Sequence, residues 1–207
     1  MIITSVEKDK KHTVRVEFDN SQSVLFDSDY WHSVCLQSGD KISEEALKKY
    51  LSESEYIRAK SRALWFLDRA DHSEKSLYEK IIRGGISKGA AARAIARLKE
   101  LGMLDDRRYA ENLAERMAES NVSKREAYAK LLLKGIPKQI ANEVLTETQF
   151  DESEQIAALI DKKYRLKLQA PEGVQKVYAA LVRRGFSYSA VRNAIKQYTT
   201  QELDGEI

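Results

Sequence analysis

The chain has 207 residues, 43% hydrophobic and 32% charged, with two prolines, nine glycines, one cysteine and a net charge of +3. So high a charged fraction with so little proline argues for surface-exposed helices and against a loop-rich sheet protein; a lone cysteine excludes an internal disulfide. No apolar run approaches the roughly 20 residues of a membrane span, and the start, MIITSVEKDKKHTV, lacks the apolar stretch of a signal peptide, so a soluble protein of the reducing cytoplasm is expected.

Residues 1–51 read as a small α+β cap. Val14, Val16 and Phe18 alternate with polar residues, DNS at 19–21 is turn chemistry and SVLF follows, which predicts a β-hairpin. Residues 28–37 and 43–51 read as short helices, the second capped by Ser43 with Glu44 and Glu45 in its first turn.

From residue 52 onward the chain repeats itself. YEKIIRGGIS from Tyr78, YAKLLLKGIP from Tyr128 and YAALVRRGFS from Tyr178 align on Gly85, Gly135 and Gly185, which are 50 residues apart. Each tyrosine and the aliphatic pair that follows (Ile81 and Ile82, Leu131 and Leu132, Leu181 and Val182) fall at i, i+3 and i+4, one face of a helix. The glycine suits the left-handed residue that ends a helix. Ser87, Pro137 or Ser187 then opens the next one. In the first copy that helix should turn Ala90, Ala91, Ala94, Ile95 and Leu98 inward; Ile140, Val144 and Leu145, then Val191, Ala194 and Ile195, correspond.

A further helix precedes each hairpin. Asp106 and the Asp151/Glu154 pair signal its start in two copies, and Ser52 with Glu55 does so in the first; Ser123 and Glu126 form another capping box at the middle hairpin. The fold expected is mainly α, three tandem three-helix repeats in an elongated curved stack (52–104, 105–150 and 151–207) behind the cap at 1–51.

No catalytic set is legible. His12, His32 and His72 are scattered, with no metal-ligand spacing, and are expected at the surface or half buried. Cys35, in WHSVCLQSG, is expected to be a buried inert thiol. GGISKG follows a helix and lacks the phosphate-loop pattern. Asp105 and Asp106 are explained by capping. The expectation is no enzyme, cofactor or metal.

Charge offers more. Residues 1–60 hold nine Lys/Arg against eleven Asp/Glu, and residues 61–207 hold 26 against 21. This surplus is too small for strong independent binding to duplex DNA, which needs many neutralised phosphates. Basic residues recur beside the repeat glycines: Arg83, then Lys134, then Arg183 and Arg184, read as equivalent positions along one side of the stack. Lys75, Lys124 with Arg125, and Lys176 add a second row, and Arg93 with Arg97 stand at i, i+4. Helix dipoles explain any one of these; the recurrence suits phosphates or carboxylates of a partner. The tyrosines are read as core, with hydroxyls at the rim.

ALWFLDRADHSEKSLYEKIIRGGI, LKELGMLDDRRYAENLAERMAESN and EAYAKLLLKGIPKQIANEVL together resemble the RecX family of bacterial regulatory proteins. Carrying the likeness are Arg69 and Ser73, Gly102 and Asp106 before Tyr109 and Ala110, and Leu131 to Gly135 with Ile136. MIITSVEKDKKHTVRVEFDN is similar to the N-terminal hairpin of longer members. SNVSKRE at 120–126 departs from the family, which commonly has a glycine there, and the third copy diverges most. The resemblance implies a non-enzymatic negative regulator, a monomer that binds RecA or its filament on single-stranded DNA, with possible direct contact with DNA, and inhibits ATP hydrolysis and strand exchange. A second reading takes the three-helix units as helix-turn-helix modules of a transcription regulator.

Overall fold

The computed structural model describes residues 1–10 and 12–204, without the side chains of 200–204; the end of the third repeat, residues 205–207, lies outside the described residues. Among the described residues the chain is mainly helical, with one small N-terminal antiparallel sheet. It divides into two compact units, Met1–Asp105 and Asp106–Ile207.

In the first unit, strands β1 (Ile3–Lys10), β2 (Thr13–Phe18) and β3 (Ser23–Asp27) pair antiparallel in the order β1-β2-β3. The expected hairpin is β2-β3. Its turn is closed by the Asn20 side chain, which accepts from the Gln22 N–H at 3.1 Å, an Asx turn. β1 adds a third strand, in register with β2 through Val6 opposite Val16. Val14, Val16, Phe18 and Phe26 leave the sheet on one face and pack with Trp31 and Leu47 into a separate core. Helix α1 (Ser28–Val34) stops at Cys35, which takes a left-handed conformation with φ 59°. Cys35 is exposed, which corrects the buried thiol read from the apolar WHSVCLQSG: the helix ends before the residue can turn inward.

The two short helices expected on either side of residue 52 are one helix, α2 (Glu44–Leu67). Ser43 caps it by accepting from the Ala46 N–H at 3.1 Å, as expected. Ser52 caps nothing; with no glycine or proline between 44 and 67, helical propagation has no reason to stop. Ser54, two residues further on, is buried and accepts the Asp27 N–H at 2.6 Å, tying the helix to the end of β3. Leu47 of α2 belongs to the sheet core, and Ala59 and Ala63 to the core of the first repeat.

Helices α3 (Glu74–Arg83) and α4 (Lys88–Glu100) complete that repeat. Ser73 and Ser87 cap them, accepting from Ser76 and Ala90 N–H. Leu77 and Ile81, at i and i+4, are fully buried against Ala91, Ala94 and Leu98. Alanines at the contact let α4 lie close to α2 and α3. Each fully buried leucine or isoleucine contributes roughly 1.5–3 kcal/mol.

The second unit carries α5 (Asp106–Glu119), α6 (Lys124–Leu133) and α7 (Lys138–Glu147), then α8 (Glu152–Leu159), a π-helical turn (Ile160–Tyr164), α9 (Arg165–Leu168), α10 (Pro171–Arg183) and α11 (Tyr188–Asp204). Ala127 and Leu131 repeat the roles of Leu77 and Ile81 in the second core, Val177 and Leu181 in the third. In each middle helix the residue before the tyrosine and the one four later are thus the buried pair, while Tyr78, Tyr128 and Tyr178 pack half-buried at the core edges. The first helix of the third repeat is not continuous as QIAALIDKKY suggested, but is widened at the π-turn, which buries Ile160 and Tyr164. Asp151 caps α8 through both Ser153 and Glu154 N–H groups.

The turns explain the repeat. Gly135 has φ 88° and Gly185 φ 94°. In both, the glycine N–H returns to the carbonyl three residues back (Leu132, Val182) and the next residue's to the carbonyl five back (Leu131, Leu181). This is a Schellman motif, whose apolar partner is the buried Ile136 or Phe186. At the point where SNVSKRE lacks a glycine, Asn121 takes the left-handed conformation instead, φ 57°.

Candidate interaction surfaces

The same turns that fix the hairpins fix the cations beside them. Arg83 and Arg183 are the last residues of α3 and α10, both exposed, with the Arg83 Nε donating to the Glu79 carbonyl at 3.4 Å. Their helix-final counterpart in the second repeat is not Lys134 but Leu133, which is 87% exposed. Lys134 and Arg184 sit one residue further, as C-caps equivalent to Gly84. Aligned by helix ends, the basic position of the middle repeat is therefore offset by one residue, and an exposed leucine takes the helix-final place there. A period counted on the glycines puts 83, 133 and 183 in register; charge alone does not.

The second row divides. Lys75 is exposed in the first turn of α3, and Lys124 and Arg125 in the first turn of α6. Lys124 and Arg125 line a cavity of about 390 Å³ with Tyr128, Leu145, Glu152 and Gly185. Lys176 pairs with Glu172 at 3.5 Å. Arg93 and Arg97, one turn apart on α4, are occupied separately. Arg93 pairs with Glu53 at 3.0 Å and lies 4.3 Å over the Tyr56 ring, while Arg97 pairs with Glu100 at 2.9 Å.

One cluster escaped the sequence reading. Trp65 is 52% exposed on α2, and the Arg69 guanidinium stacks 3.7 Å from its ring while donating to the Trp65 carbonyl. Phe66 packs edge-on against Trp65 and His72, and Lys80 lies 4.9 Å over the Phe66 ring, 3.2 Å from His72 Nε2. The WFLDR spacing, aromatic to arginine at i, i+4, carried this signal.

The groups whose acidity is perturbed do not form a reaction centre. Arg15 holds the Asp9 carboxyl below its usual range, chiefly by hydrogen bonding. Burial raises Tyr30 and Tyr198, the latter also through its hydrogen bond to Asp161 at 2.9 Å. Arg107 is raised by Glu147 first and also bonds Glu111 and Glu143, clamping α5 to α7. Among the described residues no three His, Cys, Asp or Glu gather as a metal ion would need, and no helix is long and apolar enough to cross a membrane.

What these features define is a modular helical-repeat protein, each repeat a capped hairpin with one further helix beneath it. Residues 59–98 match the family description "RecX, first three-helix domain" and residues 151–195 "RecX, third three-helix domain". Curated relatives named "Regulatory protein RecX" extend the match along the chain. That of Streptococcus pneumoniae serotype 19F is 32% identical over 98% of this chain and 82% of its own; that of Clostridioides difficile is 30% identical over 95% of both. A relative of the same name from Clostridium perfringens is 28% identical over 97% of both chains. The chain belongs to the RecX family of regulatory proteins. A crystal structure of regulatory protein RecX shares the fold, with a TM-score of 0.68 at 21% identity over 95% of this chain and 98% of that one. A RecX structure from Lactobacillus salivarius reaches 0.63 at 21% identity over 70% of this chain and 97% of its own.

Proposed function

We propose that this protein is a negative regulator of the RecA recombinase in DNA repair and recombination, acting in the cytoplasm as a monomer. It binds RecA or the RecA filament on single-stranded DNA and inhibits ATP hydrolysis and strand exchange. Family membership supports the partner. The observation that carries the binding mode is the recurrence, at the turn of every hairpin, of cations: the exposed Arg83, Lys134 and Arg183, with the half-buried Arg184 beside the last. Backbone geometry fixes where each of them leaves the chain, at a Schellman or glycine-capped turn, so no loop has to be ordered on binding and only the side chains lose freedom.

Each repeat (52–104, 105–150, 151–207) acts as one docking module. Arg and Lys at helix ends meet carboxylates of the recombinase or phosphates of its DNA. Leu133, exposed at the last position of α6, favours a protein surface over phosphate alone, because an exposed leucine gains from burial and nothing from an anion. Lys75, Lys124 and Arg125 extend the surface; the ion-paired Arg93 and Arg97 contribute less.

The test is a titration of this protein into RecA ATPase and strand-exchange reactions on single-stranded DNA. Inhibition by the wild type, lost in the triple variant Arg83→Glu, Lys134→Glu, Arg183→Glu at unchanged helical content, is the expected result. Undiminished inhibition by the variant discards the row. A shift of one specific duplex in a gel without RecA, and no effect on RecA, would favour the helix-turn-helix transcription regulator instead.

A further inference from the structure

Two grooves in the second unit occupy the same place in successive repeats. The first is the 390 Å³ cavity lined by Lys124, Arg125, Tyr128, Asn142, Leu145 and Thr146. The second, about 680 Å³, is lined by Val174, Gln175, Tyr178, Arg192, Ile195 and Lys196. Each residue of the second set stands 50 positions after its counterpart in the first. They are one surface, between the middle and last helices of a repeat, presented twice.

Their surroundings differ. In the second repeat, Glu152 and Gly185 of the third repeat line the groove as well. Gly185 sits so close that a Cβ there would lie 2.7 Å from Ser123 Oγ and 3.0 Å from Arg125 Cβ, and Ser123 donates to the Arg184 carbonyl at 2.5 Å. The seated element is thus a glycine-ended helical turn accompanied by the carboxylate that begins α8. In the third repeat the corresponding groove is lined, among the described residues, by that repeat alone.

We infer that the groove of the third repeat is a docking seat for an acidic helical turn of the partner protein, which takes the place that Glu152 and the Arg184–Gly185 turn hold on the second repeat. The substitutions between the two grooves fit an intermolecular occupant. Val174 and Gln175 replace Lys124 and Arg125, making the floor more apolar, while Arg192 and Lys196 replace Asn142 and Thr146, moving two cations to the opposite wall. Gly173 stands where Ser123 supplied its hydroxyl, so recognition passes from a hydrogen bond to charge and apolar contact. Tyr188, 66% exposed and 6.5 Å from the Tyr178 ring, extends the apolar rim where the second repeat has Lys138. Repeat proteins bury this kind of face between neighbours, and one left open is available to another chain.

This inference rests on the proposed reading of function, and its test separates the two. Binding of RecA, free and on single-stranded DNA, is measured for the wild type, for Arg192→Glu with Lys196→Glu, and for Tyr188→Ala. Both variants change exposed side chains and should keep the wild-type circular dichroism. The expected result is binding weakened about tenfold or more by the charge reversal and several-fold by Tyr188→Ala, the range for losing a charge pair and an aromatic rim contact. Wild-type affinity in the charge-reversed variant overturns the seat while leaving the proposed function standing. Failure of the wild type to bind overturns both. Sedimentation showing wild-type self-association that the charge reversal abolishes would make the occupant a second copy of this chain, and would also overturn the inference.

Discussion

Replacing Gly185 by alanine tests the reading of the repeat turns more sharply than any other single change. Two costs add at this position. The backbone there has φ 94°, which an L-residue with a Cβ occupies at roughly 1–2 kcal/mol. The new methyl would also stand 2.7 Å from Ser123 Oγ and 3.0 Å from Arg125 Cβ, closer than Cβ contacts allow, so the second and third repeats must move apart at a cost of roughly 1–3 kcal/mol. Gly85 provides the control: its φ is 81°, but a Cβ there meets nothing within 4 Å. Alanine at 85 should therefore cost only the conformational part. The stiffening of the unfolded chain by alanine, about 0.4–1 kcal/mol in the stabilising direction, is common to both and cancels in the comparison. Urea unfolding followed by circular dichroism reads both variants, and tryptophan emission separates the units because Trp31 and Trp65 both lie before residue 106. Gly185→Ala should lose about 1–3 kcal/mol more than Gly85→Ala. Equal losses would mean that the close approach of Gly185 to the second repeat does not exist in solution.

Ser123→Ala removes both a helix cap worth about 1 kcal/mol and the donor to the Arg184 carbonyl, worth about 1–3 more, whereas Ser43→Ala removes an exposed cap alone; equal destabilisation in urea would refute the double role of Ser123. Arg107→Ala should lower the melting temperature of the second unit at low salt, and the difference from wild type should shrink in molar salt, because the three glutamates it joins are solvent-exposed. A difference indifferent to salt would point to packing instead. For Tyr198, burial raises the phenol above its ordinary value near 10, so its contribution to stability is complete below about pH 10 and is lost as pH rises through the folded value. Wild type should lose stability above about pH 10 more steeply than Tyr198→Phe, as melting curves across that range would register.

The elements whose ends are set by neighbours in the chain were legible from residue types. Ser43, Ser87, Ser123 and Asp151 cap helices because a side-chain oxygen two or three residues away is all that a free N–H requires. The 50-residue period named the hairpins because a Schellman turn demands glycine, or asparagine at 121, whatever surrounds it. That basic residues recur beside these turns was visible for the same reason. Charge misassigned their register: Lys134 looks equivalent to Arg83 by charge, whereas the glycine period and the helix ends both show that Leu133 is.

What the tertiary structure decided is everything that depends on residues far apart in sequence. Ser52 and Ser54 look alike as helix starters; burial of Ser54 against the Asp27 N–H makes it a tether inside a continuous helix. Trp65 and Leu64 are adjacent apolar residues, yet Leu64 packs on the first core and Trp65 faces solvent beneath Arg69. The two homologous grooves occupy equivalent positions in the sequence but have unlike surroundings, because Gly185 and Glu152 reach one and no described residue of another repeat reaches the other. Local backbone preference belongs to a few consecutive residues and can be read from them; burial is a property of the whole fold, because the atoms that exclude water from a side chain come from segments the local sequence does not contain.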